Sequence, residues 1–560
     1  MNDKPKSIWQ RDILPARFSP VNLIRRLLRW LFSWRTMRRL LIGVAGFATL
    51  IALFYTEENW RGKRAWEKFK TEWEAKGERF DLDAFIPPPV PDEQNFAMMP
   101  LLRPLFDYDR SKTPVWRDTN GWRKVDEVSV SGRAYAYGRK TPNLGAWNEG
   151  RRNDLKEWQV YFRGTNFPPG RAAADLLERF GRRSPSAPET RDYWPMTPQP
   201  QEPAADVQFA LSKFNPEIEE LRTASTRNHA RFPIHYAEVE GAFLAHLAAL
   251  KKISEVLTLR AVAELELGKT QAAFDDVKLA FFLADAVKSD ATTISQLVRL
   301  AIIRLALQPV WEGLAAHRWT DKHLEDLQRY FDSLDLLSEY GRTVRMELAF
   351  LNAWIDHIRE RPWNVIIDIE RPRDQVTHFV VRYLPGGWFH QNKLFASRLY
   401  QENIFPLIDP REQRAYPNRA KTNSEILEVV PVRPNNFFVR LIGLLVVPAK
   451  FARAQTDLNL AKVACALERY RRANGQYPEA LQALAPRFIA TLPHDLINGQ
   501  PLNYHRTDDG QFVLYSVGWD RKDDGGRFAV SKPSPTGSYR VKIGDEPEEG
   551  DWVWRYPAKE

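Results

Sequence analysis

Three aspartates stand in one glycine-rich turn towards the end of the sequence. The stretch LYSVGWDRKDDGGRF covers residues 514–528, and Asp520, Asp523 and Asp524 follow a strand-like run directly. Calcium prefers six to eight oxygen ligands, supplied by carboxylates and by the backbone carbonyls of a flexible loop. We therefore interpret this turn as a calcium site formed by the three carboxylates and nearby loop carbonyls. The alternative is a solvated surface loop, in which the two basic residues between the acids offset their charge.

The rest of the sequence carries no motif that commits it to a reaction. It contains no H-E-x-x-H, no G-x-S-x-G, no phosphate-binding G-x-x-x-x-G-K-[ST] and no G-x-G-x-x-G. The ten histidines are scattered, and the single cysteine, Cys465, has no neighbour in sequence that would activate its thiol. These observations favour a binding or scaffolding role over an enzymatic one. A hydrolase that acts on envelope polymers is the alternative, and no residue can be named for it.

The positive charge of the chain is concentrated at its beginning. The formal net charge is +10, and residues 1–39 contain ten Lys or Arg against two acidic residues, so the remaining residues are nearly neutral. Binding to a phosphate backbone requires a clustered basic surface, which the large remainder does not supply. The composition therefore argues against a nucleic-acid partner and for an interaction of the basic segment with a membrane.

A membrane segment follows the basic residues. Leu40 to Tyr55 is uncharged and apolar apart from Thr49, and we interpret residues 40–56 as a transmembrane signal anchor. The basic flank before it predicts a cytoplasmic N-terminus in a bacterial inner membrane, with the bulk of the chain outside the cytoplasm. A cleaved signal peptide is the competing interpretation, but the preceding region is long and no A-x-A pattern follows.

The basic segment itself has an amphipathic pattern. In NLIRRLLRWLFSWR the apolar residues share one helical face, and Arg25, Arg26 and Arg29 lie on another. Such a helix lies in the plane of an anionic lipid surface. We therefore expect membrane lipid to be a partner of these three arginines.

Hydrophobic periodicity predicts a mostly α-helical protein. Residues 57–203 indicate an irregular Pro- and Trp-rich region with a juxtamembrane helix, residues 204–360 a helical body, and residues 361–453 an irregular aromatic-rich region. The hairpin that turns at Gly268 resembles a tetratricopeptide unit. No clean second copy follows at the expected period, so a plain helical bundle is an equal alternative.

Residues 454–560 are predicted to form a small α+β module, in which an amphipathic helix is followed by a β-hairpin around Asp508-Asp509-Gly510. Part of it, about 454–528, resembles the carboxy-terminal part of type II secretion pseudopilins, the major subunit in particular. Three motifs carry this resemblance: Asn474, Gly475, Tyr477 and Pro478; then Leu492, Pro493, Asp495, Gly499, Pro501 and Tyr504; then Ser516, Gly518 and Asp520.

The pseudopilin resemblance implies a pilin-like fold, a calcium-binding loop and a place beside a secretion or surface-assembly system. Two departures limit it. Leu496-Ile497 stands where the family has Pro-Trp, and the methylated amino-terminal pilin helix is missing. The whole chain also resembles membrane-anchored bacterial proteins that carry such a tail, and this likeness implies no activity. A protein partner in the cell envelope is the expectation.

Overall fold

The computed structural model describes residues 33–109, 115–130, 141–164, 194–236, 244–290, 292–360, 383–420, 447–528 and 550–557, with single positions at 24, 30, 381, 433, 436 and 437. The described part is mostly helical, as the periodicity predicts. The helices are α1 Trp34–Glu74, α2 Thr119–Asp126, α3 Leu155–Gly164, α4 Pro203–Leu211, α5 Asn215–Ala224, α6 Ala245–Glu266, α7 Thr270–Ala286, α8 Thr293–Ala315, α9 Asp321–Asp332, α10 Leu336–Glu360, α11 Gly386–Leu399 and α12 Pro448–Asn474.

The strands are short and all of their pairings are antiparallel. Strand β1 Tyr108–Asp109 pairs with β2 Val115–Trp116, and β3 Ile408–Asp409 pairs with β4 Arg414–Ala415. The third sheet contains β5 Asn503–Arg506, β6 Phe512–Ser516 and β7 Trp552–Arg555 in the order β5-β6-β7. Every residue of β6 is buried. Helix α12 contacts this central strand, and Val513 and Tyr515 form a separate apolar cluster with Val553 and Phe528.

Helix α1 joins the apolar segment and the charged segment without a break. It has 41 residues, begins after Ser33, whose hydroxyl accepts a hydrogen bond from the amide of Thr36, and contains no proline. The sequence predicted a membrane segment and a separate juxtamembrane helix, and the continuity between them is a feature that periodicity did not reveal. The hydroxyls of Thr49 and Thr56 bond to carbonyls four residues earlier, so these polar side chains do not interrupt the helix.

Among the described residues, two helices are long and apolar enough to cross a membrane. The apolar part of α1 is entirely exposed, which is consistent with a membrane anchor. In contrast, two thirds of the apolar segment of α8 is buried among other helices, so α8 is a core helix of the body. The interfacial arginines Arg25, Arg26 and Arg29, predicted to bind lipid, lie outside the described residues.

The body is built on the α6–α7 hairpin. Its turn is made at Gly268, whose φ of +72° is the left-handed conformation that favours glycine. Helix α8 packs against both helices of the hairpin, and α12 packs against α8, α9 and α10. Residues buried on every face of α12 show that it lies at the centre of the fold, including Leu458, Leu460, Ala461 and the run from Val463 to Leu467.

Several predicted boundaries differ from the observed ones. The boundary between 453 and 454 falls inside α12, which begins at Pro448 because proline is well suited to the first turn of a helix. The range 361–453, predicted to be irregular, contains α11. One continuous hydrophobic core extends from Trp66 on α1 to Tyr556 after β7, so residues 447–557 are packed into the body rather than separated from it.

Candidate functional site

The carboxylates of the predicted calcium turn bond to groups of the loop itself and of its neighbours. Asp520 accepts a hydrogen bond from the backbone amide of Gly550 at 3.2 Å. Asp523 accepts one from the hydroxyl of Tyr515 at 3.0 Å and one from the amide of Gly525 at 2.9 Å. These bonds connect the turn to strand β6 and to the start of β7, so each of the two carboxylates has a role in the local fold.

A fourth aspartate, Asp551, lies beside the turn and was missed in the sequence analysis. Its side chain is fully buried and accepts hydrogen bonds from the amides of Asp524, at 3.1 Å, and Gly526, at 2.7 Å. Burial raises the pKa of Asp551, and the charges of Asp523 and Asp524 raise it further. The pairing of β6 with β7 and the bridge between Phe528 and Asp551 bring this residue to the loop, and no local motif in the sequence indicated it.

The turn therefore contains the oxygen donors that calcium prefers, but they are not drawn together around one point. Within the ranges that the structure describes, no group of three or more His, Cys, Asp or Glu side chains is arranged to hold a metal ion. Calcium would have to draw the carboxylates of Asp520 and Asp523 away from their present partners, the amides of Gly550 and Gly525 and the hydroxyl of Tyr515.

The second and third motifs of the pseudopilin resemblance meet at a buried carboxylate. Asp495 accepts hydrogen bonds from the hydroxyl of Ser516 at 2.8 Å and from the amides of Val517, at 3.0 Å, and Ile497, at 2.8 Å. Its side chain is fully buried. This carboxylate, a member of the second motif, fixes the end of β6 to the loop that precedes β5.

Two carboxylates whose pKa is raised lie between helices of the body. Glu264 on α6 has its pKa raised to about 7, first by burial and then by the negative charge of Asp276 on α7. Asp276 in turn accepts hydrogen bonds from Arg260, at 2.9 Å, and from Arg222. This network joins α5, α6 and α7 inside the core, where its charged groups compensate each other.

A buried histidine–aspartate pair is the arrangement that most closely resembles a catalytic dyad. The Nε2 of His246 lies 2.7 Å from a carboxylate oxygen of Asp290, and its ring stacks on Phe232 with centroids 4.1 Å apart. The imidazole is 0% exposed, and it lines neither of the two cavities described below. A substrate therefore has no access to it, and we assign the pair to the packing of the core.

The single cysteine is also buried. Burial raises the pKa of the Cys465 thiol, which leaves that side chain unreactive.

Helices α1 and α11 approach each other unusually closely just beyond the apolar segment. A β-carbon built on Gly62 would lie 2.2 Å from the carbonyl oxygen of Gly387, and one built on Gly387 would lie 1.9 Å from the carbonyl oxygen of Glu58. The side-chain oxygen of Asn59 accepts a hydrogen bond from the amide of Gly387 at 2.8 Å, at the N-terminus of α11. These contacts fix the body to the charged half of α1, and we refer to them as the α1–α11 junction.

Two cavities stand out on the described surface. The first has a volume of about 510 Å³ and lies at the α1–α11 junction. Its lining residues are Phe54, Glu58, Arg61, Ala65, Trp388, Gln391, Leu394, Phe395, Arg398 and Arg433. The second, of about 330 Å³, is lined by Asp321, Arg469, Arg472, Ala473, Arg487 and Phe488. Neither cavity is lined by any of the described carboxylates whose pKa is raised.

Comparison with known proteins does not add a family: no protein-family model, no curated protein and no solved structure matches this chain. The pseudopilin resemblance of residues 454–528 therefore stays a prediction. Function is inferred from the geometry described above.

Proposed function

We propose that this chain is a single-pass protein of the bacterial inner membrane, with a cytoplasmic N-terminal segment and a non-enzymatic extracytoplasmic body that binds or scaffolds a protein partner in the envelope. The observation that carries the proposal is the α1–α11 junction. A body fixed to its membrane helix through Gly62 and Gly387 holds its surface at a constant distance from the membrane and in a constant orientation. A scaffold requires such a constant geometry, whereas a hydrolase acting on its own does not.

The distribution of ionisable groups supports binding over catalysis. Active sites bring perturbed titratable groups together in a cleft. In the described part of this chain, the carboxylates whose pKa is raised, such as Glu264 and Asp276 between helices and Asp551 beside the aspartate turn, line neither of the two cavities. No observation favours the alternative of an envelope hydrolase over this proposal.

The link to secretion or surface assembly rests on the pseudopilin resemblance. The bond between Asp495 and Ser516 supports it, because it gives a shared structural role to residues of two of the three motifs. Helix α12 is buried inside the body, so the partner would meet the assembled body rather than a released tail. Calcium bound at Asp520, Asp523 and Asp524 would stiffen the loop that joins β6 to the following chain.

The proposed orientation is tested with right-side-out membrane vesicles that contain the full chain. We expect an added protease to degrade the body while residues 1–39 stay protected until the membrane is dissolved. Digestion of residues 1–39 with protection of the body would overturn the assignment to the extracytoplasmic side.

The scaffolding role is tested by photo-crosslinking in the native membrane. A photoreactive amino acid is placed in turn at exposed positions of the body, such as Glu325 and Lys278. We expect one face to give a discrete adduct with one defined protein, and this adduct to weaken in a Gly387→Ala variant but persist in Gly386→Ala. Cleavage of envelope glycan or peptide by the purified full chain, with no partner present, would contradict the proposal.

A further inference from the structure

The larger cavity lies where the membrane surface meets the body. It is bounded on α1 by the segment from Phe54 to Ala65, and the apolar run of α1 ends at Tyr55. On α11 it is bounded by the segment from Trp388 to Arg398. The ring of Phe54 meets the ring of Trp388 edge-on at 6.3 Å, and aromatic side chains of this kind are enriched at membrane–water interfaces. The cavity therefore opens at the level of lipid headgroups.

The charge of the cavity is positive. Arg61, Arg398 and Arg433 line it together with one carboxylate, that of Glu58. Both oxygens of Glu58 are already engaged: one by Arg61, and the other by the indole nitrogen of Trp388 at 2.9 Å and by a side-chain amide at 3.0 Å. Glu58 is only 7% exposed and is paired with Arg61, so it does not neutralise Arg398 or Arg433.

Arg398 and Arg433 are the groups available to a ligand. Both side chains are exposed, and neither makes an ion pair with any residue that the structure describes. Guanidinium groups bind phosphate oxygens in a planar two-point geometry, and they do so more specifically than ammonium groups. Beside them, Leu394 and Phe395 provide an apolar lining that a free phosphate ion would not use.

We propose that this cavity binds the headgroup of an anionic phospholipid from the membrane leaflet that faces the body. The phosphodiester would lie against Arg398 and Arg433, and the start of an acyl chain would lie along Phe54, Leu394 and Phe395. A volume of about 510 Å³ lies within the usual range for small-molecule sites. This site is separate from the predicted lipid contact of Arg25, Arg26 and Arg29, which precedes the membrane segment. The inference rests on the membrane anchoring proposed above.

The test uses native mass spectrometry of the full chain in a mild detergent, with phosphatidylglycerol or phosphatidylcholine added. We expect one tightly held phosphatidylglycerol per chain, and binding about tenfold weaker in the double variant Arg398→Gln/Arg433→Gln, because two charge-assisted contacts are lost. The matched control is Arg342→Gln, an exposed arginine on α10 without an ion pair in the described structure, which should leave binding unchanged.

Three outcomes would overturn the lipid site. They are equal binding of phosphatidylcholine and phosphatidylglycerol, unchanged binding in the double variant, and thermal stabilisation by inorganic phosphate as large as that by phosphatidylglycerol. The last result would mean that the apolar lining contributes nothing. Failure of the membrane anchoring itself is distinguished by carbonate extraction, since a chain that does not span the membrane would be released into the soluble fraction.

Discussion

Gly62 on α1 and Gly387 on α11 face each other so closely that neither position has room for a β-carbon. Small residues allow two helix backbones to approach in this way, and the approach brings Asn59 within hydrogen-bond distance of the first turn of α11. The connection between α1 and the body therefore requires glycine at both positions, because a methyl group on either would clash with a backbone oxygen.

Substitution of Gly387 by alanine is the direct test of this junction. The added methyl group would lie 1.9 Å from a backbone oxygen, which cannot move without shifting α1. We expect a loss of about 1–3 kcal/mol in the free energy of unfolding, the usual cost of overpacking. Thermal unfolding of the full chain in detergent, followed by circular dichroism, measures it. Gly386→Ala is the control, because its β-carbon would be 3.4 Å from the nearest atom; equal melting temperatures for the two variants would contradict the close approach.

The stability of the protein should depend on the protonation of His390. Burial lowers the pKa of this residue to about 4, and the nearby Lys393 and Arg359 contribute in the same direction. The unfolded chain has a histidine pKa of about 6.5 and so binds the proton more tightly than the folded protein does. The contribution of His390 to stability is therefore complete above about pH 6.5 and is lost as the pH falls towards about 4.

His390→Gln should remove that part of the pH dependence, because glutamine does not titrate and can still accept the hydrogen bond that Arg359 donates at 3.2 Å. Denaturant titrations at several pH values between these limits would show it as a flatter stability curve in the variant. The exposed His505 on β5 provides the control, since the stability curve of His505→Gln should match that of the wild-type protein. Parallel curves for wild type and His390→Gln would refute the prediction.

Asp495→Asn keeps the shape of the buried side chain but replaces one carboxylate oxygen, a hydrogen-bond acceptor, with an amide nitrogen, a hydrogen-bond donor. Both carboxylate oxygens of Asp495 accept a hydrogen bond from a backbone amide, of Ile497 and Val517, so either orientation of the asparagine places two donors against each other. We expect a loss of about 1–3 kcal/mol, measured by thermal unfolding of the full chain. Asp508→Asn, at an exposed position in the β5–β6 turn, should have no effect. A melting temperature equal to that of the wild type would show that Asp495 does not hold the loop.

Calcium should raise the melting temperature of the full chain. Asp523 and Asp524 place negative charge beside the buried Asp551, and a divalent cation would reduce this repulsion. Calorimetric titration and thermal melting measure the effect, and Asp523→Ala/Asp524→Ala should abolish it. No heat and no shift at millimolar calcium would mean that the turn binds no calcium, and that the carboxylates of Asp520 and Asp523 serve only the hydrogen bonds described above.

Sequence reasoning succeeded where the determining interactions are local. The 3.6-residue period predicted the α6–α7 hairpin, and Gly268 marked its turn because glycine adopts a positive φ readily. The apolar run predicted the exposed part of α1. Each of these features is determined by residues that are close together in the sequence.

Contacts between distant parts of the chain could not be predicted in this way. Asn59 and Gly387 are separated by 328 positions, and the glycine on α11 lies in a region that the aromatic and turn residues made look irregular. Asp551 reaches the aspartate turn through the pairing of β6 with β7 and through its bridge to Phe528, and neither contact can be predicted from a single sequence. The contacts that define the α1–α11 junction and the aspartate turn can therefore be identified only from the structure.

The last strand has a consequence for the biogenesis of the protein. Trp554 on β7 lies 5.0 Å from Trp147, and the indole nitrogen of Trp311 in the core helix α8 donates a hydrogen bond to the carbonyl of Arg555 at 3.2 Å. The earlier helices therefore cannot complete their packing before β7 has been synthesised. Until β7 pairs with β6, the body remains an incompletely packed intermediate with exposed tryptophan surface, the kind of state that chaperones protect from aggregation.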